Sequence, residues 1–426
     1  MKLTIEAVQI SKAAFGISTG IEKGILYINQ DELRALLEKD GNFKSVNIAI
    51  ACPGEKTRIV NVVDVIEPRC KVSGGGDFPG YTHEIVTAGR GVTRALKGMS
   101  VVCCDRHPHW IHSKSIIDMS GEGAKLGRYG DLINVVVDPI PNGEIEDFEY
   151  ARSVKLAGLK TAVYLAKAAR DKDVSEVETY DMTPCLAAGN ALPRVAYYFQ
   201  AYSSQHDARG VPDPIFYSNP ISKNFPFIVH PNEILDGALL SGYSIRMMET
   251  YSIQNHPIIK DLYSRHGKDL HFVGVVLASS SMEAEKRPLN ASRVGTLLKD
   301  ILAADGVVMT KPMGGAPNVD LGEAAVECEK LGIKTSIIIQ ILTTETFINS
   351  EAMFNAPSLN AIVNNGCIFY RVQLPAMEKI LGGAGDTPIF DDRKKQCAGE
   401  ALELEDRFIC GSLNQIGASK VVAAQY

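Results

Sequence analysis

Short apolar runs alternate with glycine, proline and charged turns through the first third of the chain. "KLTIEAVQI", "GILYI", "VNIAIAC", "TRIVNVVDVI", "MSVVCC" and "LINVVVDPI" are each of strand length and each is broken by turn-forming residues. The pattern predicts a β-rich unit over 1–145, with a helix at "DELRALLEK" (31–39) and a linker at "PIPNGE" (139–144). The period then changes. Across 146–170, Tyr150, Val154, Ala157, Leu159, Ala162 and Leu165 recur at helical spacing. Beyond residue 190 strand and helix patterns take turns. "RVAYYFQAY" and "HFVGVVLAS" read as strands, "RVGTLLKDILAA" as helix, "GVVMT" as strand and "DLGEAAVECEKLG" as helix. "KTSIIIQIL" and "SLNAIVNN" then read as strands. Such alternation predicts α/β architecture: a doubly wound, mainly parallel sheet within 146–426, preceded by the β-rich domain. Ligands of such sheets bind beyond the carboxyl ends of the strands, here "ASSSME" (278–283), "TKPMGGAPNVD" (310–320), "QILTTET" (340–346) and "NNGC" (364–367).

Composition narrows the function classes. The 426 residues are 45% hydrophobic and 22% charged with a net charge of -6, and no basic stripe carries interleaved aromatics, which argues against a nucleic-acid partner. The N-terminus lacks the basic region and apolar core of a signal peptide, and the longest apolar runs, such as "SIIIQIL" (336–342), are too short to span a membrane. Nine cysteines, odd in number and without a CxxC pair, are expected to be reduced thiols of a cytoplasmic protein.

Three stretches carry candidate chemistry. "CCDRHPHWIH" (103–112) gathers Cys104, His107, His109 and His112. His107 and His109 share a face of an extended chain, so a zinc or iron site is conceivable, although the spacing matches no established motif. "HPIIKDLYSRHGKDLHF" (256–272) carries His256, Arg265, His266, Lys268 and His271. It reads either as an amphipathic helix with Ile258, Ile259 and Leu262 inward, or as a site using histidine as acid or base. The glycine loops "SGGGD", "AGRGVT" and "MGGAP" fit no nucleotide-binding fingerprint and read as tight turns. "LLSGYS" (239–244) ends an apolar run in small and hydroxyl residues.

"PGEKTRIVNVVDVIEPR" (53–69), "GGGDFPG" (74–80), "ALKGMSVV" (95–102), "IIDMSGEGA" (116–124), "AGLKTAVYLAKAAR" (157–170), "LPRVAYYF" (192–199), "HPNEILDGALLSG" (230–242), "HPIIKDLYSRHGKDLHFVGVV" (256–276), "GAPNVDL" (315–321) and the tail "GSLNQIGASKVVAAQY" follow one another along nearly the whole chain. In this order they resemble component B of glycine/sarcosine/betaine reductase, in its α/β-subunit precursor. The pyruvoyl subunit of D-proline reductase is a more distant relative. The resemblance implies a subunit of a complex that cleaves the C–N bond of a small amine or amino-acid derivative with a thiol- or selenol-bearing partner subunit. It also implies a precursor that cuts itself at a cysteine, leaving a pyruvoyl group whose carbonyl captures an amine.

Here the sequence departs from the family. No cysteine lies between Cys185 and Cys328. Ser244 is the nearest residue of suitable chemistry and Ser252 a second candidate. A serine hydroxyl can attack the preceding carbonyl and the resulting ester can eliminate to a pyruvoyl group, given a strained turn and an acid–base partner such as His256 or His266. Arg265 or Lys268 would take a substrate carboxylate by residue type. Two alternatives stay open. One is an unprocessed chain with metal or thiol chemistry at Cys104, His107, His109 and His112. The other is a non-catalytic binding or scaffold subunit. An oligomeric assembly is expected in each case.

Overall fold

Most of the strand-length runs become strands, and burial rather than local polarity decides how they assemble. The computed structural model describes the chain outside residues 107–113, 144, 184–191, 204–214, 223, 243–247, 313–314, 342–357, 360, 368–369, 392–393, 414 and 421–426. In chain order the elements used below begin with β1 (Lys2–Gln9), α1 (Gln30–Leu37), β2 (Phe43–Ala51), β3 (Thr57–Ile66) and β4 (Arg69–Ser73). Next come β5 (Gly91–Lys97), β6 (Met99–Cys104), β7 (Ser115–Asp118), β8 (Ile133–Pro141), α2 (Asp147–Lys167) and β9 (Glu176–Asp181). α1 starts one residue before the expected aspartate, because the Asn29 side chain accepts from Glu32 N (3.0 Å) and caps it.

Two mixed sheets form from these strands. One runs β9-β1-β5-β4, the other β7-β3-β6-β8-β2. Residues beyond 145 enter both. β9, a largely polar strand, pairs antiparallel with β1, and Lys379–Leu381 pairs parallel with β3. α2 lies against the second sheet, with Tyr150, Val154 and Ala157 packed among Val101, Cys103 and Val135. Gly158 brings α2 close to β6: a Cβ there would collide with Cys103 Sγ. Gly158→Ala should therefore lower stability by about 1–3 kcal/mol, read as a shift of the urea midpoint.

A buried clamp ties the late chain to β3. Arg58 Nε and Nη2 donate to the Asp118 carboxylate (2.6 and 2.9 Å). Its Nη1 reaches the carbonyls of Ala398 and Glu400, and Nη2 that of Pro375, at 2.8–3.0 Å.

The remaining elements are β10 (Arg194–Ser203), β11 (Phe227–Val229), β12 (Leu239–Leu240), α3 (Thr250–Gln254), α4 (Pro257–Arg265), β13 (His271–Ser280), α5 (Lys286–Thr296), β14 (Gly306–Thr310), α6 (Ala316–Lys330), β15 (Lys334–Ile341) and β16 (Ala361–Cys367). They build a six-stranded sheet in the order β11-β13-β10-β14-β15-β16, parallel throughout except for β11. Ile259 and Leu262 of α4 pack with Tyr197 and Phe199 on one face. Val294 of α5 and Leu321 and Ala325 of α6 pack with Ala196 and Tyr198 on the other. The structure is thus mixed α/β, with mixed sheets in the N-terminal part and a mainly parallel one in the C-terminal part. Among the described residues no helix is long and apolar enough to cross a membrane.

Candidate functional site

Asp64 is an acid placed in the apolar run of β3, and Lys155 is a base on the buried face of α2. Both are almost wholly removed from solvent. An isolated buried charge is strongly unfavourable, so each needs a partner. They form an ion pair with each other, Lys155 Nζ to Asp64 Oδ2. Two hydroxyls complete the cluster. Ser241 Oγ donates to Asp64 Oδ1 (3.2 Å), and Thr250 donates from N to Oδ1 (2.9 Å) and from Oγ1 to Oδ2 (2.7 Å). Lys155 Nζ also donates to Ser241 Oγ (3.2 Å) and Thr250 Oγ1 (3.3 Å). Ser241 follows β12 and Thr250 opens α3, so one ion pair grips the chain on either side of residues 242–249. Ser244 lies outside the described residues.

The approach to this grip is also anchored. Arg69 Nη1 donates to Leu235 O (2.5 Å). Asp236 accepts from Lys71 Nζ (2.5 Å), Thr93 Oγ1 (2.6 Å) and Gly89 N (2.7 Å). The "EILDGALLSG" stretch is thereby held by two buried cations of β4.

Beyond the grip, Glu249 is buried and its carboxyl is pushed above the ordinary range by desolvation. Tyr129 OH (2.9 Å) and Ser252 Oγ (3.1 Å) donate to Glu249 Oε2, and Cys410 Sγ lies 3.4 Å from Oε1. Ser252 is therefore committed to a buried hydrogen-bond cluster.

His256 occupies the N-cap position of α4 without a side-chain capping hydrogen bond. Its ring is fully buried, edge-on to Tyr197 and Phe199, and Nε2 lies 3.2 Å from Tyr197 OH, which is 2.6 Å from Thr310 Oγ1. Burial alone pushes its pKa down to about 3, so the ring is neutral near pH 7 and resists protonation. Nδ1 has no hydrogen-bond partner among the described residues.

α4 is nine residues long, which separates its ends by roughly 13 Å along the axis. His266, just past the far end, is thus set apart from His256. Its Nδ1 accepts from Phe272 N (2.9 Å), which leaves Nε2 to donate toward Met182 O (3.4 Å), and desolvation lowers its pKa. Arg265 and Lys268 are exposed at the same end, and Arg265 pairs with Asp269 (2.8 Å). The structure brings Ser241 and Thr250 together with Asp64 and Lys155. It does not bring His266, Arg265 or Lys268 to that cluster.

Cys104 is buried in the apolar core of β6 beside Ile59, Val62 and Val102. Burial raises its thiol well above the ordinary range, which disfavours a thiolate ligand. His107, His109 and His112 lie outside the described residues. Among the described residues no group of three or more metal-ligating side chains occurs.

Asp64, Lys155, Glu249 and Tyr197 escape a sequence reading centred on histidines and cysteines. The available signal is an acid inside "IVNVVDVI" and a lysine among the inward residues of a long helix.

The chain matches the model of the glycine/sarcosine/betaine reductase component B subunits over residues 1–424. It is 33% identical to the sarcosine reductase complex component B subunit alpha of Peptoclostridium acidaminophilum, with all of both chains covered. It is 32% identical, again over all of both chains, to the glycine reductase complex component B subunits alpha and beta of Acetoanaerobium sticklandii. Identity to the betaine reductase complex component B subunit alpha of Peptoclostridium acidaminophilum is 33%, covering 90% of this chain and 88% of that one. No solved structure matches. With matches of this length, the chain belongs to the family of glycine/sarcosine/betaine reductase component B subunits.

Proposed function

We propose that this chain is a subunit of a cytoplasmic reductase complex that cleaves the C–N bond of a small amine or amino-acid derivative, together with a thiol- or selenol-bearing partner subunit. The observation that carries this reading is the Asp64–Lys155 pair with Ser241 and Thr250, which holds both flanks of the segment where family precursors are processed. The seven described cysteines are free thiols, which fits a reducing compartment. We read the C-terminal sheet as doubly wound, on the strength of α4 on one face and α5 and α6 on the other.

A pyruvoyl group derived from Ser244 would supply an electrophilic carbonyl for the substrate amine. The residues present fit such a group in kind. Lys155 and Asp64 hold Ser241 and Thr250 at the edges of the segment, and Glu249, whose buried carboxyl favours the protonated form, and the hydroxyls can hold or move protons there.

Intact mass tests the reading. Cleavage before Ser244 divides a 46.2 kDa chain of 426 residues after residue 243, giving fragments of about 26 and 20 kDa. The smaller should resist N-terminal sequencing and gain mass on borohydride treatment with an amine. Ser244→Ala should abolish both signs. A single active 46 kDa chain would overturn the pyruvoyl reading.

A further inference from the structure

α5 and α6 lie side by side on one face of the parallel sheet. Each follows one parallel strand and leads into the next, so the two helices run in the same direction. Arg287 Nε lies 3.2 Å from Asp320 Oδ1, and a Cβ on Gly295 would meet Glu327 Cγ and Leu331 Cδ1. Arg287 is therefore level with Asp320, and Gly295 with Glu327. Arg293 falls level with the turn between Glu323 and Glu327.

A groove of about 560 Å³ opens between the two helices. The small residues Ala291 and Gly322 line it beside Val319 and Val326, and Glu323 and Glu327 stand along its α6 side. Leu289 on α5 is 49% exposed. Arg293, four residues on and hence on the same side of the helix, is exposed too, with its guanidinium 5.3 Å from the Phe225 ring. Charge is sorted between the helices. α5 carries Lys286, Arg287 and Arg293 and no acid, whereas α6 carries Asp320, Glu323, Glu327 and Glu329 against one base, Lys330. With the internal Arg287–Asp320 pair set aside, α5 stays basic and α6 acidic.

We infer that this face is an interface between two copies of the chain, related by a two-fold axis that runs along the helices. A two-fold contact must be self-complementary. An axis across the helices would set α5 on α5 and α6 on α6, like charge on like. An axis along them sets α5 on α6 of the second copy, twice, and keeps every residue at its own level. Leu289 of each copy then meets the groove of the other at the level of Ala291 and Gly322, where small side chains let a helix approach closely. Arg293 meets Glu323 and Glu327 of the second copy. Charge matching of this kind fixes register as well as adding affinity. The inference goes beyond the proposed function and does not depend on it.

The test is the mass of the full chain by sedimentation at micromolar concentration. Wild type should sediment at twice 46.2 kDa. Leu289→Asp should raise the dimer Kd about thirtyfold. Arg293→Glu and Glu323→Arg should each raise it about tenfold, and the two together should return it to within about threefold of wild type. Tm should stay within about 2 °C in each variant, because the side chains changed are exposed or half-buried, so a lost dimer reports a lost contact and not unfolding. A wild-type monomer, a dimer that Leu289→Asp leaves intact, or a double reversal no tighter than its single members overturns the inference. None of these outcomes bears on C–N cleavage, which the intact-mass experiment decides.

Discussion

Replacing Lys155 with methionine should lower the unfolding free energy by about 3–5 kcal/mol in a denaturant titration, because it leaves Asp64 charged and buried. The paired change Asp64→Leu with Lys155→Met should recover part of that loss, since a buried ion pair is often replaceable by apolar residues of similar volume. Activity should not recover with it. The hydroxyls of Ser241 and Thr250 would lose the carboxylate that orients them, and the chain on either side of 242–249 would lose its common anchor. A Lys155→Met variant within 1 kcal/mol of wild type would show that the pair contributes nothing to the native state. Stability and activity rescued together by the double change would show that the pair serves packing alone.

Acidification should expose the second large effect. His256 is buried neutral, with its pKa lowered to about 3 from an ordinary 6.5. The folded state therefore binds this proton less readily than the unfolded state. The contribution to stability is complete above pH 6.5 and is lost as pH falls toward 3. Between pH 7 and pH 4 the loss is roughly 3 kcal/mol. His230, lowered by burial to about 4, acts in the same sense. Asp320 and Asp406, raised by burial to about 6 and about 7, act in the opposite sense and gain stability on protonation over the same range. The difference between wild type and His256→Gln isolates the histidine. The variant should lose about 3 kcal/mol of pH dependence, and equal slopes in the two proteins would refute the buried neutral assignment.

The alternation of runs at 271–279, 306–310 and 334–342 made the parallel sheet legible, because strands buried on both faces must be apolar and must be separated by helices. The long helix at 147–167 was equally plain from its period. Order and pairing were not. β9 reads "EVETYD", a polar string whose place beside β1 follows from tertiary packing. Nothing local to Lys379–Leu381 marks it as a partner of β3. The site divided along the same line. The segment around Ser244 was visible from the resemblance, and the histidines from their density. Asp64 and Lys155 stand 91 positions apart and 95 or more from Thr250, so only folding makes them a cluster. Histidine density, conversely, overstated proximity, since nine residues of helix hold His256 and His266 apart.

The clamp on Arg58 has a consequence for biosynthesis. β3 carries Asp64, and one flank of β3 is filled by Lys379–Leu381, while Arg58 waits for carbonyls at residues 375, 398 and 400. Synthesis at about 5–20 residues per second places tens of seconds between the emergence of Asp64 and that of its last supports. The nascent chain thus carries the 242–249 segment, already synthesised, with its anchoring sheet still incomplete. Assembly of the Asp64 anchor therefore waits on residues 375–400, made more than 120 positions after the 242–249 segment that it holds.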